Sequence, residues 1–258
     1  MEWTDEGIVL AARKHGESAA IAQLLTRAHG RHAGLVHGGG GAKGRGLLQP
    51  GNRLQVHWRA RLAEHLGSYA CEQLHSGAAT ILDDPLRLAA LASACALAEA
   101  ALPEREPHPA IFDGMVALIA AFESSDRISG WGRAAIAWEM GLLSELGFGL
   151  DLSSCAATGT NDDLLYVSPR TGRAVSREAG EPYKEKLLPL PGFLARPGTM
   201  ASDEDILAGL ELAGHFLERH VFASLHREPP AARAHFLERL RRALRRNGGN
   251  DNVESGGA

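Results

Sequence analysis

Between Arg53 and Leu62 the side chains alternate, with Leu54, Val56, Trp58, Ala60 and Leu62 on even positions and Arg53, Gln55, His57, Arg59 and Arg61 on odd ones. Successive side chains of a strand face opposite sides, so this segment predicts a strand with one buried face and a basic ladder on the other. A solvated outer face would carry charge too, but usually of mixed sign, and here all three charges are positive. Shorter apolar runs come earlier, at Ile8-Val9-Leu10, Ile21 to Thr26 and Leu35-Val36. They are divided by turn residues at Lys14-His15-Gly16-Glu17 and His29-Gly30. A last strand is expected around Ser68 to Leu74. Short strands at turn spacings near ten residues predict a small five-stranded barrel over 1–80.

After Asp83-Asp84-Pro85 the apolar period becomes helical, with Asp84 placed to cap a helix and Pro85 at its first position. Helices are expected over Leu88 to Leu102, Ile111 to Phe122 and Arg133 to Leu146, the last stopped by Gly147. Residues 151–200 break the pattern. Leu164-Leu165-Tyr166-Val167, a reversal at Pro169-Arg170-Thr171-Gly172, and Ala174-Val175 predict a small hairpin module. Helices resume behind Ser202, an expected N-cap followed by Asp203-Glu204-Asp205, and run over Ile206 to Leu225 and Ala231 to Arg246. Asn247 to Ala258 is rich in Gly and Asn and is expected to be a disordered tail. The fold class that follows is α+β. A barrel over 1–80 precedes a helical domain in two parts, 81–150 and 201–246, with the hairpin module of 151–200 inserted between them.

Composition narrows the class. Of 258 residues 45% are hydrophobic and 22% charged, which excludes wholesale disorder and a collagen-like fibre. The net charge of −4 conceals segregation: residues 13–61 hold nine Lys/Arg against one acid, whereas 81–154 hold four against eleven. Such a split suggests modules with different partners. Three widely spaced cysteines, Cys71, Cys95 and Cys155, argue against a disulfide framework and for a reducing cytoplasm. Three acids within the first six residues are the reverse of a signal peptide, and Arg87 and Glu99 interrupt the most apolar stretch, so no membrane span is expected.

Several motifs carry candidate chemistry. His37-Gly38-Gly39-Gly40 matches the oxyanion loop of esterases, but that reading needs a Gly-x-Ser-x-Gly elbow, and the chain has none. The glycine run also lacks the Gly-Lys-Ser/Thr of a phosphate-binding Walker loop. A flexible loop bringing Lys43 and Arg45 onto a nucleic-acid backbone fits better, with an inert linker as the alternative. Cys155, Thr158, Ser176 and Ala179 stand where a zinc ribbon places four thiolates. Only one is cysteine, so no metal is expected. The last helix carries Arg233, Arg239, Arg241, Arg242, Arg245 and Arg246 against Glu238, either favouring the helix dipole or forming a second basic surface. DNA contacts are expected at Lys14, Arg31, Lys43, Arg45, Arg53, Arg59 and Arg61, with Arg239, Arg241, Arg242, Arg245 and Arg246 as the possible second surface. Aromatic residues are 5% of the chain, so stacking is expected to contribute little.

The order of several short motifs resembles the RecO recombination mediators of bacteria. They are Trp3-x4-Ile8-Val9-Leu10, Gly16-Glu17, Leu25-Thr26-Arg27-x2-Gly30-Arg31, Leu48-Gln49-Pro50-Gly51-Asn52-Arg53-Leu54, Glu145-Leu146-Gly147-Phe148, and Tyr166 through Val175. The resemblance covers nearly all of 1–240. It implies an N-terminal OB-fold, a helical domain and a zinc-finger-like insertion, here with Thr158, Ser176 and Ala179 where metal-binding members carry cysteines. It also implies non-catalytic work with no cofactor: binding single- and double-stranded DNA and annealing strands. The implied partners are the acidic C-terminal tail of the single-stranded DNA-binding protein, and RecR, with which such proteins load RecA. A hydrolase using the glycine-rich loop, or a structural adaptor that binds no DNA, remains the alternative.

Overall fold

The computed structural model describes residues 1–196 and 198–250, the side chains of 247–250 excepted. The chain divides into two compact units, one of Met1–Ser124 with Pro230–Phe236 and one of Ser125–Pro229 with Leu237 onward.

The first unit begins with a long strand, β1 (Glu2–His15). Its first half pairs with β4 (Asn52–Arg59) and its second half with β2 (Ala19–Thr26), and the register shifts at Leu10, between Val9 and Ala11. A bulge of this kind lets one strand turn a corner and serve two neighbours. The Val9 carbonyl at the bend accepts from the Gly51 amide at 2.8 Å. β2 pairs with β3 (Gly30–Val36), β3 meets β5 (Ser68–Ser76) in parallel at only two positions, and β5 returns to β4. The five strands close a barrel in the order β1-β2-β3-β5-β4. Leu54, Val56 and Trp58 point inward as the alternation predicts, joining Val9, Ala22 and Leu24 in the core. Each large side chain so buried contributes about 1.5–3 kcal/mol. Two expectations change in extent. β1 is far longer than Ile8–Leu10, and β4 stops at Arg59, leaving Arg61 in the loop of residues 60–67. The last cross-strand bonds there join Met1 and Ala60, so Arg61 has no strand to pair with.

The glycine-rich segment is ordered rather than a flexible loop: it turns at Gly38–Gly41 and winds into α1 (Ala42–Leu47). The Asn52 amide, buried in the barrel, donates to the carbonyls of Gly46 and Leu47 at 2.9 and 3.0 Å, pinning the helix end. Gly44 packs so closely on Gly38 and Gly39 that a Cβ would fall 2.4 Å from the Gly38 carbonyl oxygen. Two helices follow the short α2 (Gly77–Thr80) in this unit: α3 (Pro85–Ala101) and α4 (Pro109–Ser124). Asp84 caps α3 as expected, accepting from the Leu86 and Arg87 amides at 2.9 and 3.0 Å.

The second unit opens with α5 (Ile128–Glu145), which begins earlier than the expected Arg133. A three-stranded sheet follows, ordered β7-β6-β8, from β6 (Leu164–Val167), β7 (Ala174–Ser176) and β8 (Leu188–Pro189). Between β7 and β8 lie α6 (Arg177–Gly180) and a 3-10 turn. After α7 (Gly192–Ala195), α8 (Asp203–Phe216) starts on a capping box in which Ser202 and Asp205 exchange side-chain-to-backbone bonds. A π-helical turn, Leu217–Phe222, carries the chain on, and α9 (Ala231–Asn250) is the last element. The expected tail therefore begins inside the span of α9, and 251–258 lie outside the described residues. Among the described residues no helix is long and apolar enough to cross a membrane.

Candidate nucleic-acid interface

The basic ladder of β4 is set against acids that its own sequence does not contain. Register places Glu2, Thr4 and Glu6 of β1 opposite Arg59, His57 and Gln55, and Glu72 of β5 beside Gln55. Arg53 Nε lies 2.6 Å from Glu6 Oε1, and His57 Nε2 is 3.6 Å from Glu2. The outer face is thus mixed in sign once the neighbouring strand is in place. Arg59 and Arg61 remain exposed and take part in no ion pair among the described residues.

Three further cations of the basic front end are neutralised by the acidic segment that follows it. Arg13 pairs with Glu99 at 3.3 Å, Arg27 with Asp113 at 2.8 Å, and Arg31 with Glu104 at 3.2 Å. Arg31 also donates to the Leu102 carbonyl at 2.8 Å, so this expected DNA contact is committed to the protein itself. Part of the charge segregation along the chain is therefore internal complementarity within one unit. Exposed pairs of this sort contribute only about 0–1 kcal/mol, but they cancel field.

Lys14, Lys43 and Arg45 stay at the surface. Lys43 lines a cleft of about 910 Å³ between α1 and the edge of β5, together with His37, Gln49 and Gln73. Arg45 folds back, Nη1 donating to the Gly40 carbonyl at 2.8 Å. The amides of Gly39, Gly40 and Gly41 already donate to Val36, Ser18 and Gly38. An oxyanion hole needs free, converging amides, so the hydrolase reading loses its geometry at these three positions.

At another end of the barrel lies a group that the strand pattern did not single out. Trp3 is stacked on His29 (centroids 4.0 Å apart, planes at 7°) and on Trp58 (5.5 Å, 20°). Asp5 holds His29 through Nδ1 at 2.9 Å while also accepting from the Ala28 amide. His32, buried beside them, shares a 2.9 Å bond with the Tyr69 hydroxyl. Burial, then the nearby Arg105 guanidinium, pushes the His32 imidazole down to about 4, so it is neutral at pH 7. Arg105 has φ +61° and donates to the carbonyls of Ala63, Glu64 and His65 at 2.6, 3.1 and 3.0 Å, which fixes the loop of residues 60–67. These groups border a hollow of about 490 Å³. Trp3 lies directly opposite Trp58, a pairing readable only once the β1–β4 register is known.

The second unit places Cys155, Ser176 and Thr158 together. Cys155 Sγ accepts from the Ser176 amide at 3.3 Å, and Ser176 and Thr158 are the groups that favour its ionised form. Burial opposes ionisation, but these groups outweigh it and bring the thiol down to about 6. One sulfur, two hydroxyls and the methyl of Ala179 make a poor donor set for Zn²⁺, and the sulfur already accepts the Ser176 amide; the residues do not fit the metal of a zinc ribbon. On α9, Arg241 grips Glu211 through two nitrogens at 2.7 and 3.2 Å, and Arg242 pairs with Glu238. Arg239, Arg245 and Arg246 are exposed, with no ion pair among the described residues.

Known proteins bear on this arrangement. The family model for the N-terminal part of recombination protein O matches residues 1–76, and that for its C-terminal part matches 82–229. A protein of Rhodospirillum centenum named DNA repair protein RecO is 58% identical over 245 residues, covering 94% of this chain and 96% of its own. Its namesakes in Rhodospirillum rubrum and Phenylobacterium zucineum are 52% and 53% identical, the first over 94% of this chain and 97% of its own, the second over 95% and 100%. With both family models matched in order and relatives this similar along almost the whole length, the chain belongs to the RecO family.

Proposed function

We propose that the protein is a non-catalytic DNA-binding mediator of recombination and repair, whose barrel tracks phosphate backbone while leaving base edges free. The observation that carries this is the pairing pattern of the barrel's cations. Arg13, Arg27, Arg31 and Arg53 are committed to carboxylates, and Lys14, Lys43, Arg45, Arg59 and Arg61 are exposed without one among the described residues. Family membership supports the repair role, since the relatives carry that name. The strand order, with a helix between the third and fourth strands, supports reading the barrel (1–80) as an OB-fold. The module of 151–200 is read as a zinc ribbon that has exchanged its metal for hydrogen bonds around Cys155. The helices expected to form one domain over 81–150 and 201–246 are divided, α3 and α4 lying with the barrel in the first unit, and Arg239, Arg245 and Arg246 are open cations of the second.

On this reading the protein binds single and double strands and anneals complementary ones, because cations offset repulsion between two backbones. It engages the acidic tail of the single-stranded DNA-binding protein and RecR, and helps to load RecA. A cytoplasmic site of action accords with DNA as the substrate. The test is fluorescence anisotropy with a labelled single strand across a salt series. Replacing Arg59 and Arg61 with Gln should flatten the slope of log K against log salt by about 1.4, at about 0.7 per phosphate contact, whereas Arg53→Gln should change it far less. An unchanged slope in the double variant moves the DNA path off this face.

A further inference from the structure

The hollow beside Trp3 is not needed by a surface that merely follows phosphate. It is also more elaborate than the closure of a barrel end requires. Three planar rings, His29, Trp3 and Trp58, are stacked in sequence, and Asp5 fixes the outermost by a bond from behind. Facing them, Arg105 ties down the 60–67 loop from a left-handed backbone conformation that non-glycine residues rarely adopt. Such outliers persist where surrounding structure imposes them, and they concentrate at ligand sites. A neutral His32 leaves one side of the space uncharged at pH 7.

We propose that this hollow is a pocket for one unpaired nucleobase of a single strand. The proposal rests on the DNA-binding reading above and adds where a base goes. Its volume, about 490 Å³, lies in the range of small-molecule pockets, and aromatic rings offer any base a π-face. Cations for the adjoining phosphates are at hand: Arg105 lines the hollow, and the exposed Arg59 stands across the strand pair from Glu2, which also lines it. Arg61 follows in the loop of residues 60–67, next to the exposed Leu62. Glu2 at the rim repels phosphate from the interior and can accept a hydrogen bond from an exocyclic amino group. A duplex has no base to spare, so the pocket distinguishes single strands from duplex where the open cations cannot.

The test is photocrosslinking of the full-length protein to a single strand carrying 5-iododeoxyuridine, with anisotropy on the same strand and on its duplex. The expected result is a crosslink within the peptides holding Trp3 or His29. His29→Ala, at a half-exposed turn, should weaken single-strand binding at least about fivefold with duplex binding unchanged. Trp3→Phe, which keeps a ring and preserves the fold, should retain binding better than Trp3→Leu. Crosslinks found only elsewhere, or a His29→Ala effect equal on single strand and duplex, would overturn the pocket and leave the DNA-binding reading standing. Absence of binding to either DNA would overturn both.

Discussion

The barrel and the three-stranded sheet of the second unit are both small β modules, and they are held together by different means. The barrel closes five strands over an apolar interior that includes a fully enclosed Trp58 and Leu24. The sheet has strands of four, three and two residues, and beside it the buried Cys155 thiol accepts from the Ser176 amide. Apolar burial grows with the volume enclosed, so the larger module can leave its polar groups on the outside to meet a ligand. The smaller one must spend its polar groups on itself. The Ser176 amide, donating to the Cys155 thiol, is one such group.

That contrast can be broken most directly in the barrel. Trp58→Ala should destabilise the first unit by about 3–5 kcal/mol, because the side chain is enclosed and its Nε1 bond to the Leu66 carbonyl is lost with it. Denaturant unfolding would measure this, and hydrogen exchange should find the amides of 151–190 little changed. A loss under about 1 kcal/mol would mean that the barrel does not depend on its core.

The two modules should also answer pH in different windows. Folded His32 resists protonation down to about pH 4, while its unfolded counterpart takes a proton near 6.5. Its contribution is complete above pH 6.5 and is lost as pH falls toward 4, amounting to at most about 3 kcal/mol. Folded Cys155 ionises near pH 6 and the unfolded thiol near 9, so its contribution is complete above pH 9 and is lost as pH falls through 6. Stability therefore rises with pH in both regions, over about 4–6.5 for the barrel and 6–9 for the sheet. Melts across this range should keep the lower step and lose the upper one in Cys155→Ala.

The smallest effect sharpens the comparison. Cys155→Ala leaves the buried Ser176 amide without its acceptor and should cost about 1–3 kcal/mol, confined to the second unit. Cys155→Ser, which restores an acceptor, should recover part of it. Limited proteolysis between 151 and 190 reads the difference, and equal protection of both variants would deny the thiol its structural role.

Much of the barrel was legible in the chain because strand alternation is local. Leu54, Val56 and Trp58 point inward as their spacing requires, and Asp84 and Ser202 cap the helices that follow them. The site was legible only in part. Lys43, Arg59 and Arg61 are exposed as expected, but Arg31 and Arg53 are tied to acids far away in sequence. The ladder of β4 looked uniformly basic because its opposing acids, Glu2 and Glu6, lie on β1. Arg105, which holds the wall of the hollow, carries no sign of its role in any nearby motif.

The sequence by itself determined which residues form strands and helices, which of their faces are apolar, and that only one of the four ribbon positions, Cys155, is a cysteine. Each of these follows from neighbouring residues or from the chemistry of the side chains alone. Only the tertiary structure decided which cations stay open and that Trp3, His29 and Trp58 stack. Both depend on register and on the approach of residues more than fifty positions apart, such as Trp3 and Trp58, and on charges meeting at 2.6–3.3 Å across strands and helices. Pairing at that range is set by how whole elements pack, and no local pattern records it.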